Sequence, residues 1–146
     1  MSVTSSESEA DTAAVARDVA ARLRANSVVL LTGDLGAGKT AFVRGLAEGL
    51  GIDPLEVSSP TFTLIQEYRG GRFTLYHIDL YRLTPPEVDD LGLDDLMSDG
   101  GVVAVEWPER WSRPPGDAIG VTIRLTGEAS REITIKWPRG SSEVST

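Results

Sequence analysis

The chain has no cysteine and only one histidine, His77. Without thiols it can form neither disulfide bonds nor zinc–thiolate sites, and cysteine nucleophiles are excluded. A single imidazole also excludes metal sites built from several histidines. No apolar run approaches the roughly 20 residues that span a bilayer, and the acidic N-terminus lacks the apolar core of a secretory signal. We therefore expect a cytoplasmic protein without membrane contact.

Basic residues are scarce relative to acidic ones: 14 against 22, which gives a net charge of −8. Proteins that bind DNA or free RNA usually present a basic face, because phosphate contacts supply their affinity. The acidic balance therefore disfavours DNA binding and predicts that any role on tRNA is indirect, through protein partners. The length of 146 residues and the apolar fraction of 40% suit one globular domain.

The most informative segment is residues 33–40, Gly-Asp-Leu-Gly-Ala-Gly-Lys-Thr. It fits the pattern of a phosphate-binding loop, whose glycines let backbone N–H groups turn towards a polyphosphate. The apolar run 28–31 predicts a preceding strand, and residues 40–50 predict a following helix whose N-terminus favours an anion. Lys39 can then reach the outer phosphates and Thr40 can bind Mg²⁺. A simple glycine-rich turn explains the glycines but not this Lys-Thr pair.

Periodicity predicts alternating helices and strands along the chain. We expect a first helix from Asp11 or Thr12 to about Arg24, and an acidic helical segment from Pro85 to about Met97. Strands are predicted at residues 28–32, 62–68, 73–80, 102–105, 119–125 and 131–137. This mixture predicts a three-layer α/β fold, P-loop NTPase-like, with a largely parallel central sheet plus antiparallel strands. Residues 11–138 then form a single P-loop domain between a disordered tail (1–10) and a flexible tail (139–146).

Glu106 follows the second buried-type strand, residues 102–105. A nucleotide site built on Lys39 and Thr40 needs an acidic group for Mg²⁺, usually at the end of such a strand. Glu106 stands there in place of the commoner aspartate. Its carboxylate can bind the ion directly, hold it through a water molecule or orient the attacking water. The structural alternative is a carboxylate that only caps the strand end.

Three further features are compatible with structural or functional roles. His77 and Asp79 are two residues apart, so in a strand they point to the same face. There Asp79 can act near the γ-phosphate, or the two can simply form a hydrogen-bonded pair. The hydroxyl-rich loop 58–63 can order around a nucleotide, as switch loops do, or form ordinary turns. Trp107 can be a core aromatic, a wall of the site or an interface anchor.

Four segments, in this order, resemble those of the TsaE (YjeE) family, small bacterial ATPases of the tRNA threonylcarbamoyladenosine (t6A) pathway. They are GDLGAGKT at 33–40, SPTFTL at 59–64, HIDLYRL at 77–83 and VEWPE at 105–109. The similarity extends over about residues 12–137. It implies an ATP- and Mg²⁺-dependent ATPase, weak alone and stimulated by partners. Those partners are TsaD and TsaB, which transfer a threonylcarbamoyl group to adenosine 37 of tRNAs that read codons beginning with A. The small ATPase resets their complex between turnovers and is not itself the transferase.

The resemblance also implies roles for individual residues. Lys39, Asp79, Glu106 and Trp107 are implied in hydrolysis or its coupling to partners, with Thr40 and Glu106 as Mg²⁺ ligands. Thr61 belongs to a switch-like loop, and the adenine lies between Thr12 and Arg131. The implied phosphate contacts are Gly33, Asp34, Leu35, Gly36, Ala37, Gly38, Lys39, Thr40 and Ala41.

Three other functions use the same loop. A small-molecule P-loop kinase needs an arginine-rich lid, whereas the segment between Asp79 and Gly101 is acidic and contains only Arg82. A GTPase needs an Asn-Lys-x-Asp signature, which the single asparagine, Asn26, cannot supply because it precedes the loop. A nucleotide-dependent binding module needs no hydrolysis, and Glu106 argues against that reading.

Overall fold

A computed structural model of the chain describes residues 1–34, 38–57 and 65–138. In these ranges strands and helices alternate along the sequence. Their bounds are β1 Ser2–Ser6, α1 Glu9–Ala20, β2 Val28–Gly33, α2 Lys39–Gly49, β3 Ile65–Tyr68, β4 Leu75–Asp79, α3 Pro85–Asp89, α4 Leu93–Met97, β5 Val102–Glu106, β6 Ile119–Leu125 and β7 Arg131–Lys136. None of the helices in these ranges is both long and apolar enough to cross a membrane.

The strands form one seven-stranded sheet in the order β1-β7-β6-β2-β5-β4-β3. The four central strands β6, β2, β5 and β4 are parallel, and antiparallel strands extend the sheet at both ends. The two innermost strands, β2 and β5, are almost continuously apolar, as expected for parallel strands covered on both faces. The predicted α/β architecture with a largely parallel core is therefore confirmed.

The protein has three layers, with the sheet between two helical layers, and an apolar cluster fills each of the two spaces between them. One cluster joins α1 and α2 to one face of the sheet, around Phe42 and Leu46. The other covers the opposite face with the segment that contains α3 and α4, around Val88 and Trp111. Successive residues of β4 and β5 alternate between the two clusters, as the two-residue period of a strand requires. Leu75 and every second residue after it in β4 therefore face the α1–α2 layer.

Helices α1 and α2 pack closely because small residues line their contact. A Cβ atom placed on Gly45 would lie 2.4 Å from the Ala13 carbonyl oxygen and 2.6 Å from Ala16 Cβ. At the far end an ion pair joins Arg17 to Glu48, with an N–O distance of 2.7 Å. The close packing of α1 on α2 restricts the position of α2, and with it the position of Lys39, the first residue of α2.

The N-terminal residues 1–10, which the sequence predicted to be disordered, depart from that expectation. Ser2–Ser6 form β1, antiparallel to β7, with Ser6 opposite Arg131. Strand pairing uses backbone groups and needs no apolar pattern. Because only Ser6 of these side chains is buried, composition carries no signal of the strand. The C-terminal prediction for 139–146 lies outside the described residues.

The predicted helices differ from the structure in three respects, one of which is the end of α1, at Ala20 and not near Arg24. Helix α1 begins earlier than predicted, because the Ser8 hydroxyl accepts the backbone N–H of Asp11 at 3.0 Å and caps it. Thr12, expected as a possible cap, is instead buried, with Oγ1 2.7 Å from Ser6 Oγ. The segment predicted as one helix from Pro85 to Met97 is two short helices, since Gly92 adopts a left-handed conformation at φ +74°.

We predict that Gly45→Ala lowers the free energy of unfolding by about 1–3 kcal/mol, because the added methyl group overpacks the α1–α2 contact. An ordinary helical Gly→Ala change would raise it by about 1 kcal/mol. Urea denaturation measures the difference. Gly116→Ala is the control, because a Cβ there meets nothing within 4 Å. A stabilised Gly45→Ala variant would contradict the packing described here.

Candidate nucleotide site

Lys39, the first residue of α2, is buried at the carboxyl ends of the parallel strands. Its side chain is only 6% exposed. The ammonium group donates to the backbone carbonyl of Gly33 at 2.8 Å, which holds the lysine across the loop that joins β2 to α2. The same nitrogen lies 3.8 Å from Glu106 Oε1. A buried cation needs such partners, because desolvation without them is costly.

Glu106 ends β5 and its side chain is 7% exposed. In the parallel register it lies beside Leu31 of β2 and beside Asp79 of β4. Glu106 thus lies at a strand end, as the sequence predicted, and that strand is next to the one that precedes the glycine-rich sequence at 33–40. One carboxylate oxygen faces Lys39, and the other contacts His77.

His77 is a fully buried member of β4. Its Nε2 atom lies 2.5 Å from Glu106 Oε2. Its other ring nitrogen, Nδ1, has no hydrogen-bond partner within the part of the chain that the structure describes. The sequence pattern alone assigns His77 no specific role in the site. The shared strand face of His77 and Asp79 was the signal that pointed to it.

Asp79, at the end of β4, is half-buried. Its Oδ1 atom accepts the backbone N–H of Tyr81 at 2.9 Å. Burial raises the pKa of the Asp79 carboxyl above its ordinary value, and the neighbouring charge of Glu106 adds to the increase. The Tyr81 hydrogen bond and the charge of Lys39 oppose it. The folded state therefore disfavours the ionised form of the Asp79 carboxyl.

Trp107, which directly follows β5, packs its ring against the ammonium group of Lys39. The lysine nitrogen lies 4.3 Å from the centre of the Trp107 ring, within cation–π distance. The Tyr81 ring packs on the same indole, with ring centres 4.8 Å apart. Trp107 has φ +59°, a left-handed conformation that is rare for a bulky residue. Such strain concentrates at functional sites, and here it turns the indole over the lysine.

A cavity lies beside the N-terminus of α2. Its volume is about 200 Å³, and its lining brings together residues from α1, α2 and the β6–β7 turn. Thr12 and Arg131, far apart in sequence, both contribute, as do Gly38 and Ala41. A Cβ atom on Gly38 would lie 3.9 Å from Arg131 Nε. The lining residues are Ser8, Glu9, Thr12, Gly38, Ala41, Ala129 and Arg131. The sequence does not predict Ser8 and Glu9 at this site, because they precede the helix start expected at Asp11 or Thr12.

The structure brings together most of the predicted residues. Glu106 and Trp107 contact Lys39, and Asp79 lies beside Glu106 in the sheet. Gly33 ends β2, Asp34 follows it, and Thr40 lies in the first turn of α2. Leu35, Gly36, Ala37 and Thr61 lie outside the described residues.

The fold and the loop define the class of the protein: it is an α/β protein of the P-loop NTPase-like fold. The crystal structure of Bacillus subtilis YdiB superposes on it with a TM-score of 0.75 and 36% sequence identity. That similarity covers 93% of this chain and 84% of YdiB.

The family follows from sequence comparison. The model of the family described as threonylcarbamoyl adenosine biosynthesis protein TsaE matches residues 6–133. A relative from Nostoc sp., named tRNA threonylcarbamoyladenosine biosynthesis protein TsaE, is 50% identical over 77% of this chain and 72% of its own. Relatives of the same name from Bacillus subtilis and Treponema pallidum are each 46% identical, over 85% and 89% of this chain and 78% and 96% of their own. The chain belongs to the TsaE family of t6A biosynthesis, which confirms the resemblance.

We predict that Asp79→Asn raises the midpoint of thermal unfolding at neutral pH. The raised pKa means that the folded state disfavours the ionised carboxyl, so this cost is fully present above the folded pKa. It disappears as the pH falls towards the unfolded value of about 3.9. The stability difference between variant and wild type should therefore shrink on acidification.

Calorimetric scans from neutral to acidic pH measure this difference. Asp117→Asn, which removes one negative charge from an exposed position, is the control for the overall charge of the chain. A variant that is less stable than wild type at neutral pH would contradict the burial cost assigned to Asp79.

Proposed function

We propose that this protein is a cytoplasmic ATPase, Mg²⁺-dependent and weak by itself, that serves the t6A-forming complex. The observation that carries the proposal is the buried ammonium of Lys39 at the N-terminus of α2, directly after the phosphate-loop sequence. Family membership supplies the pathway. The remaining support comes from how well the site suits each part of a magnesium-bound ATP.

The N-terminus of α2 suits a polyphosphate. The helix has no side-chain cap and no acidic residue in its first turn, and Gly38 precedes it at φ +103°. The helix dipole and the lysine therefore both bring positive charge to one point. Among the described residues, Glu106 is the carboxylate that lies within 4 Å of this ammonium. Negatively charged phosphate oxygens would neutralise the remaining positive charge of Lys39 and of the helix N-terminus.

The cavity beside Gly38 suits the base. At about 200 Å³ it is smaller than the pockets that take whole drug-sized ligands, which favours one planar ring system. Its position next to the α2 N-terminus would let a base lie beside phosphates bound there. Thr12 is buried there, and Arg131 is half-buried. This arrangement supports the expected adenine position between Thr12 and Arg131.

The donor set also suits Mg²⁺. The described residues contain no group of three His, Asp or Glu side chains arranged to hold a metal. Magnesium does not need one, since it is typically bound by one or two carboxylates together with substrate phosphates and water. Thr40 and Glu106 would hold the ion, which would neutralise charge on the phosphates during transfer to water.

The chain's own side chains then divide the work of hydrolysis. Lys39 binds the outer phosphates and stabilises their charge. Glu106 presents a fixed carboxylate at the strand end, and Asp79 lies beside it in the sheet. Trp107 excludes water from one side of the lysine. ATP turnover by these groups would reset TsaD and TsaB after they modify adenosine 37, and tRNA would be contacted only through these partners.

A kinase for a small metabolite is the alternative. Its lid would have to come from the segment between Asp79 and Gly101. That segment instead packs on the sheet face opposite α1 and α2, with Val88 and Leu93 buried. The alternative therefore has no observation in its favour.

We predict that Lys39→Ala lowers ATP affinity at least tenfold, because the phosphates lose their main charge partner. Glu106→Ala should retain measurable ATP binding but lose more than nine-tenths of turnover. Calorimetric titration and phosphate release measure the two effects. Lys136→Ala, which removes an exposed lysine, is the matched control. Unchanged turnover in Glu106→Ala would contradict the role of this carboxylate.

We also predict that wild-type protein is retained by immobilised TsaB and TsaD when ATP is present and that Lys39→Ala is not. The reason is that a nucleotide switch must couple phosphate binding to partner binding. Equal retention with and without ATP would contradict the proposed coupling, and GTP in place of ATP tests the choice of base.

A further inference from the structure

We propose that His77 is a positioning residue that fixes the carboxylate of Glu106. The inference rests on the proposed function in so far as Glu106 takes part in ATP hydrolysis. It deepens that proposal by assigning a task to a buried imidazole that phosphate binding does not use.

The backbone register brings the two side chains together. In the parallel pair β4–β5, His77 lies opposite Ala104 and Asp79 lies opposite Glu106. His77 is therefore two register positions behind Glu106, on the same face of the sheet. Its Nε2 atom reaches Glu106 Oε2 at 2.5 Å, and both side chains are at least nine-tenths buried.

The direction of the hydrogen bond follows from chemistry. An ionised carboxylate can only accept, so the imidazole donates through Nε2–H. Nδ1 has no partner in the described ranges, and a proton there would bury an unsatisfied donor. The contact therefore selects the tautomer that carries its proton on Nε2.

The consequence for Glu106 is a fixed orientation. With Oε2 held by His77, the carboxylate leaves Oε1 on the Lys39 side, 3.8 Å from the ammonium. Glutamate has one more rotatable bond than the aspartate usual at this position, so it loses more conformational freedom on being fixed. A buried hydrogen-bond donor from the neighbouring strand supplies that constraint. Supporting contacts of this kind typically contribute about 10–100-fold to activity.

The first test is spectroscopic and needs no nucleotide. His77 is the chain's only histidine, so a long-range ¹H–¹⁵N correlation spectrum of the labelled full-length protein contains one imidazole. We expect the proton on Nε2, a slowly exchanging Hε2 signal, and a change of that signal in Glu106→Ala. A proton on Nδ1, or an Hε2 signal that Glu106→Ala does not move, would overturn the inference.

The second test uses three substitutions. Gln reaches as far as His Nε2 and keeps an N–H donor there, Asn reaches only as far as Nδ1, and Met has no donor. We expect His77→Gln to keep kcat within about fivefold, and His77→Asn and His77→Met to lose about 10–100-fold. ATP affinity without Mg²⁺ should change less than about threefold in all three, because His77 lies beside Glu106 and not on the phosphates.

The outcomes separate the two proposals. Turnover by wild type with an equal kcat in His77→Met overturns the positioning role alone. Equal losses in His77→Gln and His77→Asn do the same, since a merely structural histidine gives no preference for the Nε2 position. A wild-type protein that neither binds nor hydrolyses ATP, alone or with TsaB and TsaD, overturns the proposed function and the positioning role together.

Discussion

One buried positive charge constrains the whole site. Lys39 is one of only two lysines in the chain, and it sits at the end of a helix where the dipole is also positive. Gly33, Glu106 and Trp107 supply a carbonyl, a carboxylate and an aromatic face around it. A protein of net charge −8 thus places a local positive centre at the edge of the sheet where its four parallel strands end.

The remainder of the fold holds that centre in place. The small-residue contact of α1 with α2 sets the position of Lys39, and the β2–β5–β4 register sets Glu106, Asp79 and His77. Edge strand β1 has a less obvious role: it brings Ser6 beside Thr12 and the start of α1 beside Arg131. The N-terminal strand thus adjoins two residues of the cavity lining, Thr12 and Arg131, although the strand is mostly exposed.

Much of this site could be read from the sequence, and the missing parts have physical reasons. Lys39 and Glu106 each follow a buried-type strand in the sequence. The sequence therefore predicts that they lie close together, because the carboxyl ends of parallel strands meet at one edge of the sheet. Strand β1 escaped prediction because backbone pairing leaves no apolar pattern. The contact of His77 with Glu106 depends on the register between two strands, which periodicity within either strand does not contain. The pKa of Asp79 likewise depends on burial that no local pattern encodes.

The central claim is that the positive centre at Lys39 receives the phosphates of ATP. A crystal structure of the protein with a non-hydrolysable ATP analogue and Mg²⁺ tests it most directly. We expect the phosphates at the N-terminus of α2 within hydrogen-bond distance of Lys39 Nζ, with the base in the cavity between Thr12 and Arg131. A nucleotide bound elsewhere, or phosphates that do not contact Lys39, would contradict this account.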